Sequence, residues 1–228
     1  MVSEKGLQIS DMTEAADLKS RIFKRIDTGA ARGVWTAADF LDLATRDAVD
    51  KTLQRLVAGG QLRRIDRGLY DRPSFNGLTK ASNAPDPRQV IEAIARRDQI
   101  RVLVDGMTAA NDLGLTNAVP AKIVVHTDSR LKTVRLGNLD ITFRTAAASK
   151  LYWAGRPAMR VIQALHWLRD TMGDVNEDRK LRRKLSHLLW SDRGGDRLRA
   201  DLQDGMSTLP AWMQDYLKPI LIAESEAA

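Results

Sequence analysis

The sequence predicts an α+β fold arranged in two domains, and three observations lead to this prediction. The chain has 228 residues, which is more than one small domain needs. Helical and strand-like patterns are mixed as far as Phe143, without the regular alternation that builds a doubly wound parallel sheet. From Ser149 onward the pattern is helical throughout, which is typical of a small bundle of antiparallel helices.

The stretch from Thr45 to Tyr70 carries the clearest pattern in the chain. Apolar residues recur there at i, i+4, i+7 and i+8, which predicts one apolar face of an amphipathic helix; they are Val49, Leu53, Leu56 and Val57. Thr45 is the predicted N-cap, with its hydroxyl accepting a backbone N–H of the first turn. Gly59 and Gly60 end the helix, because glycine adopts the left-handed C-terminal conformation at little cost.

Two short strands follow this helix and form a predicted hairpin. They run over 62–65 and 69–72, joined through Asp66, Arg67 and Gly68. A helix, a glycine stop and a basic hairpin in this order are typical of the recognition helix and wing of a winged helix-turn-helix domain. The open alternative is a helix and hairpin packed inside another α+β fold.

The residues before Thr45 supply the other elements that such a domain needs. A helical stripe precedes it at Leu18, Ile22, Phe23 and Ile26. The segment 34–36 predicts a short strand, and Thr36 and Asp39 have the spacing of a capping box at the start of a second helix. Phe40, Leu41 and Leu43 are the predicted apolar contacts of that second helix.

The domain boundary is predicted where the composition changes after the hairpin. Residues 73–87 are rich in Pro, Asn, Ser and Ala, which indicates a linker between a first domain over 1–72 and a second over 88–228. The second domain shows helical and strand patterns in turn: a helix over 88–97, strands over 100–104 and 123–125 around a helix over 107–113, a hairpin over 130–143, and helices over 158–172, 178–190, 198–202 and 212–222.

Composition narrows the classes of protein that fit this chain. Lysine and arginine number 36 against 29 aspartate and glutamate residues, and the net charge of +7 favours an anionic partner, most simply nucleic acid. There is no cysteine, which excludes disulfides and thiolate metal sites. No apolar run approaches the ~20 residues that span a bilayer, and Met1–Ser10 lacks a signal-peptide core, so a cytoplasmic protein is expected.

Catalytic motifs do not occur in the sequence. The three histidines, His126, His166 and His187, fall on different predicted elements. No zinc-protease motif, nucleophile elbow, phosphate-binding loop or dinucleotide fingerprint is present. We therefore expect no enzyme activity, no catalytic residues, no cofactor and no metal site.

Basic residues of the helix and hairpin are the candidate site. Lys51, Gln54 and Arg55 are expected to reach base edges in a major groove, and the hairpin arginines to contact phosphates. The full set of predicted DNA-binding residues is Thr45, Arg46, Lys51, Gln54, Arg55, Arg63, Arg64 and Arg67. The alternative is a solvated charged face. That alternative is favoured for a second basic set, which comprises residues 179–184 with Arg193, Arg197 and Arg199.

Three strings in order resemble one known family. AVDKTLQRLVAGGQLRRIDRGLYDRP, DGMTAANDLGLTNAVPAKIVVHT and LPAWMQDYL resemble segments of the AbiEi-like antitoxins, the DNA-binding members of bacterial type IV toxin–antitoxin systems involved in phage defence. The resemblance covers roughly Ile22 to Leu217. It implies a winged-helix domain followed by an antitoxin domain, with DNA contacts over Thr45–Arg55 and Arg63–Arg67.

The resemblance also implies partners. It predicts a neighbouring toxin of the nucleotidyltransferase fold and repression of the shared promoter through an inverted repeat in duplex DNA. Two other functions remain open from the sequence. One is a winged-helix transcriptional regulator whose second domain senses a ligand or protein, and the other is an interaction platform for protein or RNA that does not bind DNA.

Overall fold

A computed structural model describes residues 17–29, 33–75, 77 and 82–222, and it has an α+β architecture with two small sheets. The chain divides into two compact units, one formed by residues 1–100 with 134–138 and the other by residues 101–133 with 139–228. The first unit contains α1 (residues 17–28), β1 (Val34–Trp35), a 3-10 helix (Ala37–Phe40), α2 (Arg46–Ala58), β2 (Arg63–Asp66), β3 (Leu69–Asp71) and α3 (Pro87–Asp98).

The sheet of the first unit is antiparallel, with β3 between β1 and β2. Val34 lies opposite Asp71 and Trp35 opposite Tyr70 across the β1–β3 pair. Since side chains alternate along a strand, Trp35 and Tyr70 share one face and Val34 shares the other with Leu69. All four side chains are buried, so this small sheet is covered on both faces.

A helical core covers the Trp35 face. Its buried members are Leu18, Ile22, Ile26, Trp35, Ala37, Phe40, Val49, Leu53, Leu56, Leu62 and Tyr70. Trp35 and Phe40 stack with ring centroids 5.5 Å apart. The apolar stripes predicted for α1 and α2 are therefore the surfaces that build this core.

The second helix of the first unit is shorter than the sequence predicts. The capping box forms, with the backbone N–H of Thr36 donating to Asp39 Oδ2 at 2.8 Å. The segment that follows is one 3-10 helix over Ala37–Phe40 and then a turn, in which Leu41 is exposed. Few residues separate Thr36 from the start of α2, and the tighter 3-10 geometry accommodates a single turn in that space.

Helix α3 covers the Val34 face of the sheet, because it packs against β1 and β3. Its buried residues are Val90, Ile91, Ala93 and Ile94. The segment before it also returns to the sheet: Phe75 pairs with Ser82, and Arg63 Nη1 donates to Ser82 Oγ and to the carbonyl of Asn83. The first unit thus continues to Ile100, and the boundaries predicted at 72 and 87 lie inside it.

In the second unit, β5 (Lys122–Thr127) lies between β4 (Val102–Val104) and β7 (Leu139–Thr145). The strand β6 (Val134–Leu136) falls within residues 134–138, which belong to the first unit. The helices of the second unit are α4 (Gly106–Asp112), α5 (Met159–Leu168), α6 (Val175–Trp190), α7 (Gly195–Gly205) and α8 (Ala211–Ile222). β4 runs antiparallel to β5, whereas β5 and β7 are parallel, with Val125 opposite Phe143. Within the described ranges, no helix is both long and apolar enough to cross a membrane.

The DGMT string of the second unit has a structural role. Asp105 caps α4 by accepting the backbone N–H of Thr108 at 3.0 Å, and it also accepts the N–H of Val124 at 2.9 Å. Gly106 lets α4 approach α5 closely, since a Cβ there would lie 2.5 Å from the carbonyl oxygen of Gln163. These contacts join β4, β5, α4 and α5.

Truncation tests where the first unit ends. A fragment of residues 1–100 is expected to fold, whereas a fragment of residues 1–72 exposes Val34 and Leu69 by losing α3. Exposing two aliphatic side chains costs roughly 3–6 kcal/mol, a large share of the stability of a small domain. Urea denaturation followed by circular dichroism measures the difference. Cooperative unfolding of both fragments at the same midpoint would show that α3 is not part of the unit.

Candidate nucleic-acid interface

Helix α2 presents one face to the core and the other to solvent. Val49, Leu53 and Leu56 are buried, which turns the positions between them outward. Thr45 occupies the N-cap position with extended backbone angles, but its side chain makes no capping hydrogen bond. The hydroxyl bond predicted from the sequence is thus not formed, and Thr45 remains exposed at the start of the helix.

The outward face of α2 carries the three side chains that are predicted from the sequence to contact base edges. Lys51, Gln54 and Arg55 are all exposed, and none of their side chains forms a hydrogen bond or an ion pair with any residue that the structure describes. Arg46 differs, because its Nε donates to Asp50 Oδ2 at 2.9 Å. Three polar side chains are therefore available to an external partner on consecutive turns of one helix.

A groove of about 590 Å³ runs beside these residues. α1 contributes Asp17, Leu18 and Arg21, the turn before α2 contributes Leu43, Ala44 and Thr45, and α2 contributes Asp47, Ala48, Lys51, Thr52 and Arg55. Lys51 and Arg55 thus border a concave surface that also carries carboxylates. Because Asp17 and Asp47 line the groove together with Arg21, Lys51 and Arg55, its surface carries both negative and positive charge.

The hairpin carries two exposed arginines. Arg64 is exposed on β2, where its Nε lies 3.4 Å from the carbonyl oxygen of Asp66. Arg67 is exposed at the turn between β2 and β3, and its side chain has no hydrogen-bond partner among the described residues. Gly68 follows with φ +68°, the left-handed conformation that lets the chain reverse there.

Arg63 is placed differently from the other hairpin arginines. Its Nε donates to Asp71 Oδ1 at 2.9 Å, Nη2 donates to Asp71 Oδ2, and Nη1 donates to Ser82 Oγ at 3.0 Å and to the Asn83 carbonyl at 2.8 Å. Hydrogen bonding to the Asp71 carboxylate raises the pKa of Arg63. Its side chain is 29% exposed, so it is held within the unit and is not presented with Arg64 and Arg67.

The Arg63–Asp71 pair follows from the hairpin register. The two residues lie opposite each other on β2 and β3, with oppositely charged side chains on one face. Both residues lie within the predicted strands 62–65 and 69–72, so pairing these strands across the turn would have placed them opposite each other. The partners Ser82 and Asn83 carry no comparable signal, because they lie in the segment that reads as a linker.

Two arginines of α3 also contact this region, and sequence reasoning missed both. Arg96 Nη2 donates to the Val34 carbonyl at 3.3 Å and to Asp39 Oδ2 at 3.2 Å. Arg97 Nη1 donates to the Arg67 carbonyl at 2.6 Å. The helical pattern of α3 gives its apolar face but contains no signal for which strands its arginines meet.

The second basic set of the sequence is only partly engaged in contacts within its own unit. Arg182 pairs with Asp178 at 2.8 Å and stacks 4.0 Å from the Tyr216 ring centre. Lys184 Nζ donates to the Gly114 carbonyl at 2.6 Å. Arg179, Arg183, Arg193 and Arg197 are exposed. This arrangement resembles the solvated side of a packed helix more than a site built for a ligand.

Histidine and carboxylate side chains hold a metal ion only where several of them lie close together. Burial lowers the pKa of His126, with a further contribution from Lys150 and Arg144, and burial also lowers the pKa of His166. Among the described residues, no group of three or more histidine, aspartate or glutamate side chains is arranged to hold a metal ion.

Comparison with known proteins places the chain in a family. A model of a family of unknown function, DUF6088, matches residues 21–194, which include α2, the β2–β3 hairpin, α3 and most of the second unit. No curated protein matches the chain. Since the matched range covers about three quarters of the sequence, the chain belongs to DUF6088, a family of unknown function.

Proposed function

We propose that this protein binds duplex DNA as a winged helix-turn-helix, with α2 as the recognition helix and the β2–β3 hairpin as the wing. The order α1, β1, 3-10 helix, α2, β2 and β3 supports this proposal, as does the antiparallel sheet in which β3 is central. Recognition helices of such domains enter the major groove, and a wing reaches the flanking backbone or minor groove.

The observation that carries the proposal is the outward face of α2. Lys51, Gln54 and Arg55 are exposed and unpaired within the described part of the chain, while the opposite face of the helix is locked into the core. A major groove about 12 Å wide accepts a helix with such a face. Arginine and lysine pair with guanine O6 and N7, and glutamine pairs with adenine N6 and N7, so these three side chains suit base edges.

The wing arginines suit the sugar–phosphate backbone. Arg64 and Arg67 project from the hairpin and turn, where they are free to make charge-assisted hydrogen bonds to phosphate oxygens. Arg63 stays with Asp71 in this proposal, and its contribution is to hold the hairpin against residues 82–83. The predicted set of phosphate contacts is thereby narrowed to Arg64 and Arg67.

We further propose that the protein is the antitoxin and autorepressor of a type IV toxin–antitoxin operon. The support is the resemblance to AbiEi-like antitoxins. The three strings of this chain that carry the resemblance contain most of α2 with the hairpin, α4 with β5, and the start of α8. Two copies would bind an inverted repeat in their own promoter in the cytoplasm. The second unit would counteract a toxin of the nucleotidyltransferase fold.

A mobility-shift experiment tests the DNA-binding proposal directly. The full-length protein is titrated at physiological salt against the DNA upstream of its own gene and against a scrambled duplex of equal length and composition. Tighter binding to the upstream DNA is expected, because specific sites exceed nonspecific sites in affinity by orders of magnitude. Equal affinity for the two duplexes would contradict sequence-specific repression.

Substitutions on helix and wing separate base contacts from phosphate contacts. Gln54→Ala or Arg55→Ala is expected to cost about 1–3 kcal/mol of binding and to relax discrimination at one base position. Arg64→Ala or Arg67→Ala is expected to weaken binding to every sequence and to lower the log–log salt slope by about one per lost phosphate contact. Arg183→Ala on α6 is the matched control and leaves both quantities unchanged. Wing variants that keep the full slope would show that these arginines are solvated.

The antitoxin proposal needs a separate assay in cells. Co-expression with the neighbouring toxin gene is expected to restore growth, and a variant with Lys51 and Arg55 both changed to alanine is expected to protect while failing to repress a promoter fusion. This division follows because the resemblance places antitoxicity outside the winged helix. Loss of protection together with loss of repression would mean that the toxin is countered only through DNA binding.

A further inference from the structure

We propose that Arg97, on α3, is a positioning residue that holds the tip of the β2–β3 hairpin in the orientation needed for DNA contact. This inference rests on the proposed function of the hairpin as a wing. Arg97 lies thirty residues after Arg67 in the chain, in a helix that the sequence assigns to another domain. It contributes through the hairpin and does not itself touch DNA.

The contact that carries the inference is made at the turn itself. Arg97 Nη1 donates to the Arg67 carbonyl at 2.6 Å, while Nε and Nη2 donate to the Asp98 carboxylate at 2.8 and 2.7 Å. Both side chains are about three-quarters buried, with 26% of Arg97 and 27% of Asp98 exposed. Asp98 therefore fixes the guanidinium plane, and the remaining edge of that plane is directed at the tip of the hairpin.

Charge reinforces this arrangement. Hydrogen bonding to Asp98 raises the pKa of Arg97, and the nearby carboxylate of Asp66 at the end of β2 contributes in the same direction. Since Asp98 neutralises Arg97 and accepts from two of its three nitrogens, Arg97 is poorly suited to bind a phosphate. Its donors are already used inside the unit, which separates it from the exposed Arg64 and Arg67.

Helix α3 also forms hydrogen bonds with the segment that precedes α2. Arg96 donates to the Val34 carbonyl and to Asp39, and Asp39 in turn accepts the N–H of Thr36. Adjacent arginines of α3 thus hold β1 with the 3-10 helix on one side and the hairpin turn on the other. Through these contacts α3 fixes the spacing between the wing and the start of the recognition helix.

Two substitutions in the full-length protein distinguish positioning from simple loss of charge. Arg97→Lys keeps the positive charge but replaces the planar fork with a single ammonium group. Asp98→Asn makes the protein more positive, so electrostatics alone predicts tighter DNA binding, whereas loss of positioning predicts weaker binding. Affinity for the upstream DNA is expected to fall roughly three- to tenfold in both variants, the effect of one weakened charge-assisted hydrogen bond, with an unchanged salt slope.

Tryptic cleavage after Arg67 provides a readout that needs no DNA. Both variants are expected to be cut at the Arg67–Gly68 bond faster than the wild type under native conditions, because the turn is no longer held. The matched controls are Arg101→Lys and Asp128→Asn, which alter an arginine–aspartate pair of the second unit with an Nε–Oδ2 distance of 3.2 Å. Arg101→Lys preserves the positive charge as Arg97→Lys does, and Asp128→Asn removes one negative charge as Asp98→Asn does. Both controls are expected to leave cleavage at Arg67 unchanged.

The outcomes separate this inference from the proposed function. Tighter or unchanged DNA binding by Asp98→Asn, with wild-type cleavage at Arg67, overturns the positioning role. If the wild-type protein fails to prefer its upstream DNA, the proposed function fails instead. In that case faster cleavage at Arg67 in the two variants still supports the contact between Arg97 and the turn, and unchanged cleavage overturns it.

Discussion

The three-stranded sheet of the first unit has apolar side chains on both faces, and burying both faces is the constraint on which that unit depends. Trp35 and Tyr70 close the helical core, while Val34 and Leu69 are buried on the opposite side, where α3 packs against β1 and β3. A strand of two residues and a hairpin of this length are too small to be stable alone in water. Coverage by helices on both sides gives the hairpin a fixed base.

This constraint also determines which arginines are available to a partner. Arg63 and Arg97 lie where the hairpin meets the segments around α3, and their guanidinium groups are paired with Asp71 and Asp98. The side chains of Arg55, Arg64 and Arg67 are exposed, and Arg67 takes part in these contacts only through its backbone carbonyl, which accepts from Arg97. The arginines of the first unit thus fall into two groups: those that hold the hairpin in place and those whose side chains are available to bind DNA. This difference is the basis of the proposed DNA interface.

Local chemistry was enough to predict part of this arrangement from the sequence. The spacing of Val49, Leu53 and Leu56 predicts α2 with its buried face, and the glycines at 59–60 and 68 mark its end and the hairpin turn. The role of α3 was not predictable in this way, because periodicity shows that a helix has an apolar face but does not identify the surface it covers. Composition at 73–87 indicated a linker, although Ser82 and Asn83 return to Arg63. The exposed candidate residues on α2 followed from periodicity, whereas the pairing of Arg63 required the strand register.

Hydrogen exchange measured by mass spectrometry on the full-length protein, with and without its upstream DNA, tests the central claim most directly. The claim is that α2 and the β2–β3 hairpin together form the DNA-contacting surface. The account predicts slower exchange on DNA binding in peptides covering residues 45–55 and 63–71, and no change in peptides covering α6. Protection confined to the second unit, or absent from both the helix and the hairpin while DNA is bound, would contradict it.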